Sequence, residues 1–199
     1  MTKSLRGLAL SGVMLLAGCG SSPATAYYAL AAVSGSMRQA SLGTIEVRRP
    51  GIAGYLDRAE ILTQWDGHRL QLAQDACWGE PIASMIGRVL AEDLTDRLRG
   101  TIVFNASSDL SIKATTVIEL AIWKFDFGPD GFVHLNALSS VRGAGPQTAR
   151  AIALQARPAT TEPGAVVAAM SGLLGQLADE IANALMASAE NSTKTAPPE

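Results

Sequence analysis

Cys19 is the residue whose chemistry is most clearly indicated by its surroundings. It follows Leu15-Leu16-Ala17-Gly18, which closes an apolar stretch preceded by Lys3 and Arg6. A basic start, a short apolar run and small residues before a cysteine are typical of a bacterial lipoprotein signal. In such a signal the cysteine becomes the new amino terminus and is acylated. We therefore predict covalent S-diacylglycerol and N-acyl groups on Cys19.

The apolar run before Cys19 is too short to cross a bilayer. It spans Gly7 to Gly18, 12 residues, whereas a helix through the hydrocarbon core needs about 20. Residues 1–18 are therefore predicted to be a cleaved signal peptide. The alternatives are an ordinary signal peptide followed by a chance cysteine, or a short buried helix. Residues 19–26 are predicted to form a lipidated leash, and several acyl chains would anchor it durably where one chain binds only marginally.

Residues that could support catalysis are few. His68 and His134 are the two histidines, far apart in sequence, and no Gly-x-Ser-x-Gly or phosphate-binding Gly-rich motif occurs. No closely spaced metal ligands are present, so we predict no metal, no catalytic residue and no cofactor apart from the covalent lipid. After acylation of Cys19 the one remaining thiol is Cys77, which is predicted to be a small buried residue, with a reactive or intermolecular thiol as the alternative.

Composition indicates one globular domain. Cleavage after residue 18 removes Lys3 and Arg6, so 14 basic residues remain against 18 acidic ones. The mature charge of about −4 and the absence of a basic patch argue against nucleic acid as a partner. The charged stretches Arg48-Arg49 and Arg97 to Arg99 are predicted to be solvated edges.

Two segments have helical periodicity. Apolar residues recur at three and four positions from Pro81 to Arg99, and Gly100 follows as a stop. The opposite face of this helix carries Arg88, Glu92, Asp93, Asp96 and Arg97. The second helix is predicted from about Pro163 to Ser188, and the polar tail 189–199 is predicted to be disordered.

The remaining elements are predicted strands. Residues 60–65 and 68–73 flank Asp66-Gly67, a strong hairpin signal, and 116–127, 132–141 and 147–155 are predicted to pair antiparallel. The fold class is therefore α+β: a two-layer sandwich over residues 27–188, with a mostly antiparallel sheet and two amphipathic helices on one face. Apolar residues occupy both faces of 118–127, which indicates a central strand or one covered by a partner, so self-association is plausible.

Two motifs combine aromatic and charged residues. Trp78-Gly79-Glu80-Pro81 precedes the first helix, where Trp78 is expected to fill the core and Glu80 to cap the helix. Tyr55-Leu56-Asp57-Arg58 lies in a loop between strands. A structural role and contact with a partner are equally compatible with that position.

These motifs, in order, resemble the PqiC/YmbA-like family, the ABC-type transport auxiliary lipoproteins. The resemblance begins at the Cys19 signal and is strongest in Tyr55 to Arg58 and from Trp78 to Leu94. Weaker matches are Tyr27-Tyr28-Ala29-Leu30, Ile45-Glu46-Val47, Ile61-Leu62 and Leu70. The family commonly has Pro after the loop arginine, where this chain has Ala59, a difference that bears on the rigidity of the loop.

The resemblance implies a non-enzymatic, periplasm-facing lipoprotein on the outer membrane. The absence of Asp after Cys19 favours that membrane by the sorting rule of the class. Relatives accompany MCE-type lipid transport machinery, so the implied partner is an MCE-domain protein. Our hypothesis is that Tyr55 to Arg58 contribute to the contact with that protein or with a neighbouring copy. The alternative function is capture of a small apolar ligand in a pocket between sheet and helices.

Overall fold

The computed structural model describes residues 24–65, 68–106, 112–143 and 147–195. Cys19 and the signal segment lie outside this range. In chain order the elements are β1 (Ala26–Tyr28), β2 (Arg38–Gln39), β3 (Thr44–Val47), β4 (Gly51–Ile52), β5 (Glu60–Trp65), β6 (Leu70–Trp78), α1 (Ile82–Arg97), β7 (Leu98–Arg99), β8 (Ile102–Asn105), β9 (Thr116–Phe127), β10 (Val133–Arg142), β11 (Thr148–Ala156) and α2 (Pro163–Thr195). The predicted α+β class is confirmed.

The larger sheet combines long antiparallel strands with short parallel ones. Its order is β11-β10-β9-β3-β8, and the predicted antiparallel pairing of β9, β10 and β11 is confirmed. β3 and β4 both run parallel to β9 along one edge, β3 beside Thr116–Ile118 and β4 beside Ala121–Ile122. Pro50 separates the two short strands, since proline has no N–H to donate to a ladder.

The smaller sheet has the order β1-β6-β5. β5 and β6 pair antiparallel, as the predicted hairpin requires, while Asp66-Gly67 lies outside the described residues. β1 adds in parallel to β6, and β2 pairs in parallel with β7 in a separate two-stranded sheet. These parallel partners are distant in sequence, which explains why local patterns did not indicate them.

Both helices pack on one face of the larger sheet, as predicted. α1 covers β3 and β8, and α2 covers β9, β10 and β11. The predicted stripe of α1 is buried, including Met85, Ile86, Val89, Leu90 and Leu94. Gly100 has φ +91°, a left-handed conformation that suits glycine and turns the chain after α1 and β7.

α2 is longer than predicted. It continues past Ser188 to Thr195, so the structure extends the helix into the stretch predicted to be a disordered tail, and residues 196–199 lie outside the described range. The segment Pro163–Glu190 is long and apolar enough to cross a membrane by length and composition. However, 61% of its most apolar window is buried inside the fold, and the core helix of a globular domain meets the same criteria.

The charged face of α1 differs from the prediction at two positions. Asp93 and Arg97 were expected on the solvated face, but both are buried because α2 and residues 31–37 cover that side of the helix. Arg97 Nε donates to Asp179 Oδ1 at 2.8 Å, and its Nη2 donates to the Gly175 carbonyl at 3.0 Å. This guanidinium therefore joins α1 to the middle of α2.

Candidate functional site

The loop containing Tyr55 to Arg58 is held by its own backbone and by β9. Leu56 N donates to Ala53 O at 2.9 Å, and Arg58 N donates to Leu56 O at 2.9 Å. The Arg58 side chain also stabilises this turn, because its Nε donates to Tyr55 O at 2.8 Å. Because β4 precedes the loop and pairs with β9, the loop lies beside the second half of that strand.

Tyr55 ties the loop to the sheet. Its hydroxyl donates to Asp126 Oδ2 at 2.5 Å and lies 3.3 Å from the Trp123 carbonyl oxygen. Burial and the adjacent Asp126 carboxylate raise the pKa of Tyr55, so the phenol keeps its proton. Burial raises the pKa of Asp126, opposed by the hydrogen bond from Tyr55. The neutral Tyr55 phenol therefore donates a fixed hydrogen bond to the buried Asp126 carboxylate. This bond has a structural role rather than a role in acid–base chemistry.

The four residues from Tyr55 to Arg58 were predicted to form one contact, but they differ in how far they are exposed. Leu56 is buried in the core with 2% exposure, and Tyr55 is half-buried. Arg58 is partly exposed, and Asp57 is the exposed member of the motif. Partner contact through this loop stays a prediction, and Asp57 is the side chain best placed to make it.

In the Trp78-Gly79-Glu80-Pro81 motif before α1, Trp78 has the predicted structural role, whereas Glu80 does not. Trp78 is buried at the end of β6, and its backbone N–H donates to Ala59 O at 2.7 Å. The predicted cap is wrong, because Pro81 occupies the N-cap position and no side chain caps the helix. Glu80 instead accepts a hydrogen bond from Arg88 Nη2 at 2.6 Å, further along the helix surface.

Trp123 is the prominent surface residue that sequence reasoning missed. The register of β9 against β10 shifts between Asn136, opposite Lys124, and Ala137, opposite Ile122, so Trp123 is the extra residue of a bulge. It is 49% exposed on the outer face of the sheet, opposite the helices, as is Leu138 at 43%. The available signal was the break in alternation between Ile122 and Phe125.

A cavity of about 220 Å³ lies between the sheet and the C-terminal half of α2. We call it the α2 groove. Its floor includes the apolar Val141, Ile152, Ile181 and Ala184 and the buried polar Ser139, and the more exposed Arg150 and Glu180 stand at its rim. A second space, of about 10 Å³, lies behind Leu56 and Trp78 and is large enough for roughly one water molecule.

The remaining titratable residues form no composite site in the part of the chain that the structure describes. His134 Nε2 lies 2.9 Å from Asp130 Oδ2 on the sheet surface, and this contact lowers the pKa of Asp130. Cys77 is half-buried in β6, where a buried residue was predicted. Among the described residues, no group of three or more His, Cys, Asp or Glu side chains could hold a metal ion.

Comparison with known families decides the assignment. Residues 28–182, from β1 into the second half of α2, match the ABC-type transport auxiliary lipoprotein component. The chain belongs to this family. The resemblance drawn from the Tyr55 and Trp78 motifs is thereby confirmed. Family membership makes the protein a membrane-associated lipoprotein that serves an ABC-type transporter as an auxiliary component.

Solved structures support the same fold. A protein from Xanthomonas campestris has a TM-score of 0.69 at 15% identity, covering 86% of this chain and all of that one. The crystal structure of an uncharacterized protein has a TM-score of 0.67 at 18% identity, covering 81% of this chain and 99% of the other. At these identities the likeness concerns the fold alone. A search among curated proteins finds no match.

Proposed function

We propose that this protein is fixed to the periplasmic face of the outer membrane through lipid on Cys19. There it acts without catalysis as an auxiliary subunit of an MCE/ABC-type lipid transport system, docking the MCE component that spans the periplasm. The observation that carries the proposal is the order of parts along the chain. A lipoprotein signal ending at Cys19 stands directly before a domain of the transport auxiliary family, with the predicted leash of residues 19–26 between them.

The surface proposed for docking is the outer face of the sheet around the bulge. Trp123 and Leu138 are large apolar side chains exposed on a face that neither helix covers. Exposed aromatic residues often act as interface anchors, and a tryptophan held by a rigid strand loses little conformational freedom on binding. Tyr55 fastens the loop that carries Asp57 to Trp123 and Asp126 of β9, so we include Asp57 in the proposed surface.

Co-purification of the full-length lipoprotein with the MCE protein tests the docking surface. Trp123→Ala is expected to reduce capture at least tenfold, as truncation of an interface anchor does. The double variant Asp57→Ala, Arg58→Ala is expected to have a smaller effect, since Asp57 is a rim charge. Ile102→Ala is the matched control, because Ile102 is a 58% exposed apolar residue near the edge of the same sheet. Unchanged capture by Trp123→Ala and by the loop variant would refute this surface.

Mass spectrometry of the mature amino terminus tests the anchor. The expected result is a processed chain beginning at Cys19 with acyl and diacylglycerol masses, recovered in the outer-membrane fraction. Cys19→Ser should abolish both processing and acylation. An unmodified cysteine in a protein that washes out with the soluble fraction would refute the proposal at its base.

A further inference from the structure

The α2 groove has the chemistry of a site for one hydrocarbon chain. Its floor is mostly aliphatic, from Val141 and Ile152 on the sheet to Ile181 and Ala184 on the helix, and Ser139 is the buried polar residue beside them. An apolar cavity of about 150 Å³ is known to hold benzene, so about 220 Å³ holds a chain segment of roughly eight carbons. This is too small for a helix or strand of a partner, and it suits a flexible alkyl chain entering from one side.

The rim of the groove carries one charge of each sign. Arg150 and Glu180 line the same cavity, yet neither forms an ion pair with any residue in the described part of the chain. Both charges are therefore available to a ligand. A zwitterionic phospholipid headgroup complements them, since its phosphate accepts bidentate hydrogen bonds from a guanidinium and its ammonium pairs with a carboxylate.

We propose that the α2 groove binds one acyl chain of a zwitterionic phospholipid, with the phosphate at Arg150 and the ammonium at Glu180. This inference rests on the proposed function in naming the cargo class of the transport system. It adds that the auxiliary subunit itself holds lipid, separately from its docking surface.

The position of the groove argues against the protein's own anchor as its occupant. Tyr28 in β1 lies beside Gly164, where α2 begins, so the leash from Cys19 emerges at that end of the helix. Ala184 lies 20 residues further along α2, about 30 Å away at 1.5 Å per residue. The nine residues from Cys19 to Tyr28 span at most about 32 Å, so bringing Cys19 itself to the groove would require a leash fully extended along the helix.

Photo-crosslinking in cells tests the proposal on the full-length lipoprotein. Ser188→p-benzoylphenylalanine places a photoreactive group at the groove, and Ala168→p-benzoylphenylalanine places the same group at an exposed position in the first half of α2. After irradiation, mass spectrometry should find a phospholipid adduct at position 188 at least tenfold more abundant than at 168. Equal adducts at both positions, a free fatty acid adduct or a link from position 188 to the Cys19 acyl chains would overturn it.

Blocking variants then connect the adduct to the groove. In the position-188 background, Ala184→Trp should reduce the adduct at least tenfold, whereas Ala168→Trp should leave it unchanged. Arg150→Gln should reduce it several-fold, and Glu180→Gln should shift the captured lipid from zwitterionic to anionic headgroups. Thermal unfolding of each variant distinguishes a blocked groove from a misfolded domain. An undiminished adduct in a folded Ala184→Trp variant would refute the site.

The two proposals fail separately. If Ala184→Trp loses the adduct but still captures the MCE protein, lipid binding belongs to the groove alone and docking stands. If MCE capture is absent from the wild-type protein while the adduct persists, docking is refuted and lipid binding stands. Loss of MCE capture on Ala184→Trp, with no adduct in the wild type, would make the groove a protein contact and overturn the lipid assignment.

Discussion

The two halves of α2 share one helical repeat of inward-facing residues but differ in the size of those residues. In the first half, large side chains such as Val166, Met170, Leu173 and Leu174 are buried in the core. In the second half, small residues Ala184 and Ala187 leave the α2 groove between the helix and β10 and β11. One amphipathic helix thus closes the core at one end and, where small side chains border the sheet, leaves space at the other.

Arg97 marks the boundary between these halves, and its removal should have the largest effect. Arg97→Ala would leave Asp93 buried beside no cation and would free the Gly175 carbonyl, so we expect a loss of about 3–5 kcal/mol. Urea unfolding measures it. The control is Arg88→Ala, whose pairs with Glu80 and Glu92 are exposed and should contribute less than about 1 kcal/mol. Equal losses in the two variants would contradict the role of Arg97.

Truncation within each half compares their packing directly. Leu174→Ala removes a side chain that is 0% exposed and should destabilise the protein by about 2–5 kcal/mol. Ile181→Ala should fall at the low end of that range, because Ile181 already borders a cavity and has fewer neighbours to lose. The urea midpoints of the two variants measure both losses when the slope of unfolding free energy against urea concentration is unchanged. A larger loss at Ile181 would show that the second half is the better packed.

Asp93 should make stability depend on pH. Burial raises the pKa of Asp93 from 3.8 to about 6, despite the hydrogen bond from Val33 N and the nearby Arg97. The folded state thus keeps a proton that the unfolded state releases, and the free energy of unfolding falls as pH rises from about 4 to above 6. We expect a change on the order of 1–3 kcal/mol between pH 4 and 7 that Asp93→Asn largely removes. Identical pH profiles would contradict this assignment.

Filling the groove should give the smallest effect, and of opposite sign. Ala184→Leu adds apolar volume to a space that the fold leaves open, so it should stabilise the protein by about 0.5–1 kcal/mol. Thermal unfolding measures the gain. The control is Ala168→Leu, the same substitution at an exposed position of the same helix, which should change stability little. Destabilisation by Ala184→Leu alone would mean that the groove is too narrow for added side-chain atoms.

Elements with local signals could be predicted from the sequence. The stripe of α1, the antiparallel strands β9 to β11 and the hairpin of β5 and β6 depend on periodicity and turn residues close in sequence. β1, β2 and β4 could not be predicted as parallel partners, because their pairing joins distant segments whose short sequences carry no alternation. Local pattern therefore indicated the layers but not the edges of the sheets.

The candidate site was predictable in the same limited way. Tyr55 was singled out by residue type, but its bond to Asp126 spans 71 positions and no local signal indicated it. Arg97 was expected in solvent because charged residues are rarely buried. Acceptors on α2, together with the Val33 and Asp93 carbonyls, make its burial possible. The α2 groove depends on small residues, which do not distinguish a cavity from a close contact.

Because Trp123 is the extra residue of a β-bulge, one insertion or deletion can create or remove the exposed aromatic surface on the outer face of the sheet. Before the bulge, even-numbered residues of β9 face the helices, and after it odd-numbered residues do, as Ile122 and Phe125 illustrate. Deleting Trp123 alone would restore a regular ladder while every core residue kept its side of the sheet. Insertion or deletion of one residue therefore adds or removes the exposed tryptophan on this sheet, and the hydrophobic interior stays the same.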